Sequence, residues 1–177
     1  MRDELTTFRT ALGWCAMVGR GRQLRALAIA HPNAAAAVDS LKGELTAGAR
    51  RSRWNRQLAE RLTAALEGEP DSFADVEVDI DHLTPFSQRI VVACRRIDWG
   101  ETRSYGQLAK LAGRSGAARA VGRVMSQNRT PLVVPCHRVV ASNGKLGGFS
   151  APQGIKLKKR LLALEPGVIC GGGVRVL

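Results

Sequence analysis

Two short apolar runs, Leu132-Val133-Val134 and Val139-Val140, enclose Pro135-Cys136-His137-Arg138. Such runs are buried extended backbone, so any core this chain builds must hold a thiol, an imidazole and a guanidinium at a bend that proline fixes. On a straight strand, successive side chains point to opposite faces. A turn is therefore needed to bring Cys136 and His137 to a common task. The direct neighbour His137, Arg138 two residues on and the basic sequence around Cys136 favour a thiolate over a thiol. Cys15, Cys94 and Cys170 lack such company and read as small buried hydrophobes. The cysteines lie far apart with no C-x-x-C pair, and His31, His82 and His137 are equally scattered. Neither a disulfide framework nor a metal site is expected, and reduced thiols fit a cytoplasmic protein.

The net charge of +12 is unevenly placed. Residues 1–80 carry 11 Lys and Arg against 11 Asp and Glu, whereas residues 81–177 carry 16 against 4, which is the whole excess. The asymmetry predicts two domains, 1–82 and 83–177, the second basic enough to meet a polyanion such as nucleic acid. The charged start Met1-Arg2-Asp3-Glu4 and the shortness of every apolar run predict neither a targeting segment nor a membrane span.

In the first half, segments at about Ala11–Val18 and Arg22–Ala30 around Gly19-Arg20-Gly21 read as a β-hairpin. Asn33 caps a helix running to about Leu45, a second helix spans about Arg53–Leu66, and Val76–Ile80 alternates as a strand. This β-β-α-α-β half shows no cluster of catalytic residue types and reads as scaffold. From Thr84 the character changes. Thr84 is a good N-cap and Pro85 suits the first helical position, launching a helix to about Ile97. Ser104 and Gln107 form a capping box that opens a short helix ending at Gly113. Ser115 is expected to cap the next helix, from Gly116 to about Gln127. The small residues Ala117, Ala118, Ala120 and Gly122 lie on it, while Arg119 and Arg123 share a face. Two short helices so joined predict a helix-turn-helix. The lack of long polar side chains on the second predicts close approach to a backbone or minor groove with little sequence preference. Ser142–Lys145 reads as a hairpin turn. The last helix, about Gln153–Leu164, is expected to show a cationic face of Lys156, Lys158, Lys159 and Arg160, with Glu165 and Pro166 at its end.

A cysteine nucleophile needs a base, and a base needs an orienting carboxylate, which casts Cys136, His137 and Glu165 in those roles. The same set serves a protease or an acyl transferase, and the DNA-binding unit is what separates the readings. Pro135-Cys136-His137-Arg138-Val139, then Gly148-Phe149-Ser150, then Leu161-Leu162-Ala163-Leu164-Glu165, in that order and spacing, resemble the methylated-DNA–protein-cysteine methyltransferases, also called O6-alkylguanine-DNA alkyltransferases. The resemblance runs from about Thr84 to Glu165. It implies an α+β protein, with a small mixed α/β, ribonuclease-H-like N-terminal domain and a mainly helical C-terminal domain bearing a DNA-binding helix-turn-helix.

The resemblance also implies roles. Cys136 takes the alkyl group, His137 deprotonates it through a water, Glu165 orients His137 and Asn128 braces the cysteine segment. Tyr105, the Val139 carbonyl, Phe149 and the Ser150 amide hold the base. Ala118, Arg119 and Arg123 meet the DNA, Arg119 filling the space left by a flipped nucleotide. The partner is double-stranded DNA containing O6-alkylguanine. No cofactor, metal or membrane is implied, and a monomer is expected. Flipping is required because O6 lies inside the stack. Phe149 stands where many relatives have tyrosine, and the junction Ser150-Ala151-Pro152-Gln153-Gly154 is about two residues longer than usual, so the pocket lip is a point of departure. A non-catalytic lesion-binding protein is the alternative reading, and a cysteine hydrolase a weaker third.

Overall fold

The computed structural model describes residues 1–165 other than Lys42 and the Glu44 side chain, with the backbone of Ile169–Cys170 and Val174–Arg175 beyond them. The chain is a mixed α/β protein in two units, Met1–Asp79 with Arg129–Pro131, and Ile80–Asn128 with Leu132–Leu177.

In the first unit, β1 (Glu4–Thr10), β2 (Gly13–Arg20) and β3 (Gln23–His31) form an antiparallel meander, and β4 (Arg50–Arg51) joins parallel to β1, giving the order β3-β2-β1-β4. The hairpin expected here is β2–β3, but Gly19 and Arg20 still pair with Leu24 and Gln23. The turn therefore falls two residues late, at Gly21, whose φ of +60° suits glycine. Strand β1 was not foreseen, since its threonines and charges mask the alternation. Asn33 caps α1 (Ala34–Asp39) by accepting from the Ala36 amide at 2.8 Å. The helix expected to reach Leu45 stops at Asp39, and a separate turn, α2 (Gly43–Thr46), follows. Asn55 caps α3 (Arg56–Ala65). The strand expected at Val76–Ile80 is reduced to one parallel bridge from Val78 to Leu24. Leu5, Ala16, Val18, Ala26, Ala28, Ala37, Leu41 and Leu45 are the apolar residues between sheet and helices.

The second unit opens with α4 (Pro85–Arg95), which Thr84 caps and Pro85 starts. Then come β5 (Arg103–Ser104), α5 (Tyr105–Leu111), α6 (Ala118–Ser126), a 3-10 turn at Cys136–Arg138, β6 (Val139–Val140), α7 (Ile155–Ala163), and the antiparallel pair β7 (Ile169–Cys170) and β8 (Val174–Arg175). The capping box is complete: the Gln107 amide donates to Ser104 Oγ at 3.1 Å and the Ser104 amide to Gln107 Oε1 at 2.7 Å. Gly113, at φ +83°, stops α5. Ser115, however, does not cap α6. Gly116 sits at φ +82°, which a helix cannot use, so α6 starts at Ala118 with no side-chain cap. Ser142–Lys145 does turn, with the Ala141 amide donating to the Lys145 carbonyl at 2.8 Å. Among the described residues no strand pairs with β6 across this turn, and β6 pairs instead with β5, in parallel. Ile90, Val91, Cys94, Leu108, Val121, Met125, Val134, Cys136 and Val139 belong to this unit's core. Cys15 and Cys94 are buried free thiols as expected, whereas Pro166 and the Cys170 side chain lie outside the described residues. Among the described residues, no helix is long and apolar enough to cross a membrane.

Candidate active site

The turn that the sequence demanded is built in two steps. Pro135, at φ −77° and ψ 62°, makes an inverse γ-turn in which the Cys136 amide donates to the Val134 carbonyl at 2.7 Å. The Arg138 amide then donates to the Pro135 carbonyl at 2.9 Å, winding Cys136–Arg138 into one 3-10 turn. Three residues per turn send these three side chains in three directions. Each finds different partners, and all three are buried.

Cys136 Sγ receives the Asn128 side-chain amide at 3.1 Å, and the same Nδ2 donates to the Val134 carbonyl at 2.9 Å. His137 Nε2 lies 2.8 Å from Glu165 Oε1. Arg138 Nε donates to both oxygens of Glu165, at 3.0 and 3.1 Å, and its Nη1 to the Ile97 carbonyl at 2.8 Å, with its guanidinium over the Trp99 ring at 5.5 Å. The Gly100 amide completes the shell, donating to Glu165 Oε2 at 2.9 Å. Glu165 is thus a buried carboxylate at the junction of three donors.

Burial dominates the protonation states. It pushes the Cys136 thiol above its ordinary value, against the lowering effects of the Asn128 hydrogen bond and the Lys158 charge. The expectation that basic sequence would favour a resting thiolate is corrected: desolvation outweighs the neighbouring cations. Burial also lowers His137, more than Glu165 raises it, so the imidazole rests neutral. Burial works to raise Glu165, but His137, Arg138 and the Gly100 amide together hold it below the usual carboxylate value. A carboxylate only accepts, so His137 Nε2 carries the proton and Nδ1 bears the lone pair. Among the described residues, that Nδ1 has no hydrogen-bond partner.

A second correction concerns Lys158. The sequence placed it on an exposed cationic face; it is fully buried, with Nζ donating to the Val139 carbonyl at 2.6 Å and lying 3.5 Å from the Gly148 carbonyl. It also lies 5.9 Å from the Tyr105 ring centre, and burial lowers its pKa to about 8. Lys156, Lys159 and Arg160 are exposed, as expected. The missed signal was periodicity: Lys158 precedes Leu161 and Leu162 by three and four residues, inside the apolar stripe of α7.

Tyr105 is half-buried at the start of α5, and a Cβ on Gly122 of α6 would meet its ring at 3.9 Å. Gly147, at φ +70°, tolerates no side chain, because a Cβ there would lie 2.6 Å from the Tyr105 hydroxyl. Phe149 packs on the core, and Ser150 Oγ donates to the Ser126 carbonyl at the end of α6 at 2.8 Å. Val139 is buried in β6. Cys136, Asn128, His137, Glu165, Tyr105 and Val139 therefore share one connected region. Arg119 and Arg123 stand exposed on α6, with Ala118 half-buried at its first position. Lys158 and the Gly100 amide are members of the region that the sequence did not point to, and Arg138, expected to act on the thiol, engages Glu165 instead.

Residues 85–167 match the family of 6-O-methylguanine DNA methyltransferase, DNA binding domain. The methylated-DNA–protein-cysteine methyltransferase of Mycobacterium tuberculosis strain H37Rv is 46% identical over 106 residues, which is 60% of this chain and 62%, under two thirds, of that relative. The Methanosarcina acetivorans protein of the same name is 41% identical over 110 residues, 62% of this chain and 68% of its own. In three dimensions the chain is similar to the M. tuberculosis O6-methylguanine methyltransferase, with a TM-score of 0.75, 32% identity and 92% of each chain covered. Its likeness to the DNA complex of the M. tuberculosis protein is of the same order, with a TM-score of 0.76, 32% identity and 91% of each chain covered. Fold and site together define a two-unit mixed α/β protein that buries a thiol beside an imidazole–carboxylate pair. The chain belongs to the methylated-DNA–protein-cysteine methyltransferase family.

Proposed function

We propose that this protein repairs O6-alkylguanine in double-stranded DNA by moving the alkyl group onto its own Cys136, once per molecule, as a cytoplasmic monomer needing no cofactor. The observation that carries the reading is the 2.8 Å hydrogen bond between Glu165 and His137, which commits Nδ1 to act as the base. Through a bridging water, Nδ1 draws the proton from Cys136. The Asn128 amide and the Lys158 charge stabilise the sulfur as it becomes negative. An S–C bond forms while the C–O6 bond breaks, and its electron pair returns to the purine. A proton taken up by the departing base balances the one the thiol gave, so thiol and alkylguanine become thioether and guanine. A thioether is not reversed by thiols, hence the single turnover.

Positions on the lip hold the flipped base. The Val139 carbonyl has a second lone pair besides the one Lys158 engages, and with the Ser150 amide it reads the base edge, while Tyr105 and Phe149 hold the ring. Helices α5 and α6, joined by residues 112–117, act as the helix-turn-helix. Ala118 permits close approach, Arg119 enters the vacated stack and Arg123 meets the backbone. The sheet order β3-β2-β1-β4 with β4 parallel to β1 supports a ribonuclease-H-like first domain, residues 1–82, serving as scaffold for an alkyltransferase domain, 83–177.

Intact-mass measurement after incubation with a duplex bearing O6-methylguanine tests the reading. One added methyl group located on Cys136 is expected. Tight binding with unchanged mass would instead establish the lesion-binding alternative.

A further inference from the structure

Helix α4 and its C-cap expose Pro85, Arg89, Val92 and Arg96 to solvent, with Gln88 half-buried and Ala93 buried between them. Pro85, Gln88, Arg89, Val92, Ala93 and Arg96 follow at helical spacing along it and its C-cap. They floor an open groove of about 510 Å³, which Leu111 at the end of α5 walls on the other side. Val92 is 43% and Leu111 65% exposed. Single exposed hydrophobes are ordinary, but four large ones are exposed among the described residues and two of them share this groove. That makes a patch, and patches mark interaction surfaces.

The charge of the groove is one-sided. Arg89 and Arg96 rim it, and no acidic residue lines it. Arg89 is fixed in place, its Nε donating to the Ala112 carbonyl at 3.0 Å and its guanidinium over Phe86 at 5.7 Å. Arg96 is exposed and makes no ion pair among the described residues. An eleven-residue helix is roughly 16 Å long at 1.5 Å per residue, so the groove is a channel some three turns in length and suits a peptide better than a compact molecule. A DNA backbone would engage the arginines but would leave Val92 and Leu111 in water.

We propose that this groove docks an acidic amphipathic helix of another protein, with aliphatic side chains seated between Val92 and Leu111 and carboxylates against Arg89 and Arg96. None of the residues assigned to transfer or DNA contact lines it, so the inference goes beyond the alkyl-transfer reading and does not depend on it.

Fluorescence anisotropy on the full chain tests this with three synthetic helical probes. The first has leucine on one face and glutamate on the other, the second has lysine for glutamate, and the third has the leucines scattered. The first is expected to bind with micromolar Kd and the others about tenfold or more weakly, a difference of about 1.4 kcal/mol or more. Leu111→Glu and Val92→Glu should each weaken the first probe about tenfold. Arg96→Glu should weaken it and flatten its salt dependence. All three variants should keep wild-type reaction with free O6-benzylguanine, which shows that they are folded. Equal binding of the three probes, no binding of any, or indifference to Leu111→Glu would overturn the proposal. So would loss of duplex binding in Val92→Glu with no peptide binding by the parent, which would reassign the groove to DNA.

Discussion

Cys136→Ser keeps the shape of the side chain but replaces a thiol with a hydroxyl of far higher pKa, so no useful nucleophile forms near neutral pH. Transfer should vanish while affinity for methylated duplex stays near that of the parent, measured by adduct mass and by anisotropy. Glu165→Gln is predicted to do more than mis-orient His137, because it also leaves the buried Arg138 without its carboxylate. The rate of Cys136 alkylation should fall, and its pH dependence should change. Stability carries a related signature. His137 and Glu165 both titrate below their ordinary values of 6.5 and 4.5 in the folded protein. The unfolded chain therefore takes up protons that the native one refuses. The stability these groups contribute is present above those values and is lost as pH falls below them. Thermal midpoints should drop below about pH 6.5 and again below about pH 4.5, and Glu165→Gln should diminish the lower step. A parent and variant with the same acid profile would show that Glu165 is not coupled to the site. At this scale the sequence was legible in residue types and illegible in environment. Cys136, His137 and Glu165 could be named, but the thiol's protonation and the burial of Lys158 depend on packing that no local pattern reports.

Helix α6 brings two tasks together at its end, where Ser126 accepts from the pocket lip and Asn128, two residues on, donates to the thiol. Its exposed face carries Arg119. If Arg119 fills the vacated stack, it acts only when a duplex must be opened. Arg119→Ala should then slow repair of duplex DNA by a factor reflecting part of the few kcal/mol of unstacking, while reaction with free O6-benzylguanine stays almost unchanged. Equal slowing on both substrates would move Arg119 into support of the active site. Elements with local signals were readable in advance: Thr84 with Pro85 and the Ser104–Gln107 box each decide a helix start within four residues. Elements defined by distant pairing were not. Strand β4 is two arginines long and exists only through β1, and Val76–Ile80 alternates yet finds no continuous partner. Ser115 shows a local signal overridden by its neighbour, since Gly116 takes a left-handed conformation.

Across the whole chain, the charge division read from composition carries its own test. If cations of residues 81–177 hold phosphates, affinity for duplex should fall steeply with added salt and depend little on sequence; a salt-insensitive affinity would remove the electrostatic account. The other property of the molecule as a whole is its fate. Under the proposed transfer the protein would be consumed by its own reaction and wasted by any side reaction of its sulfur, and Cys136 is 7% exposed with its thiol held protonated by burial. Oxidants and general electrophiles attack accessible thiolates, so the desolvation that makes this cysteine a reluctant nucleophile also gives it a long shelf life. Hydrogen peroxide should inactivate the native protein far more slowly than it oxidises an unfolded sample, followed by loss of reaction with O6-benzylguanine. On that reading the site resembles a sealed charge, inert in storage and fired only when the right base is pressed into it.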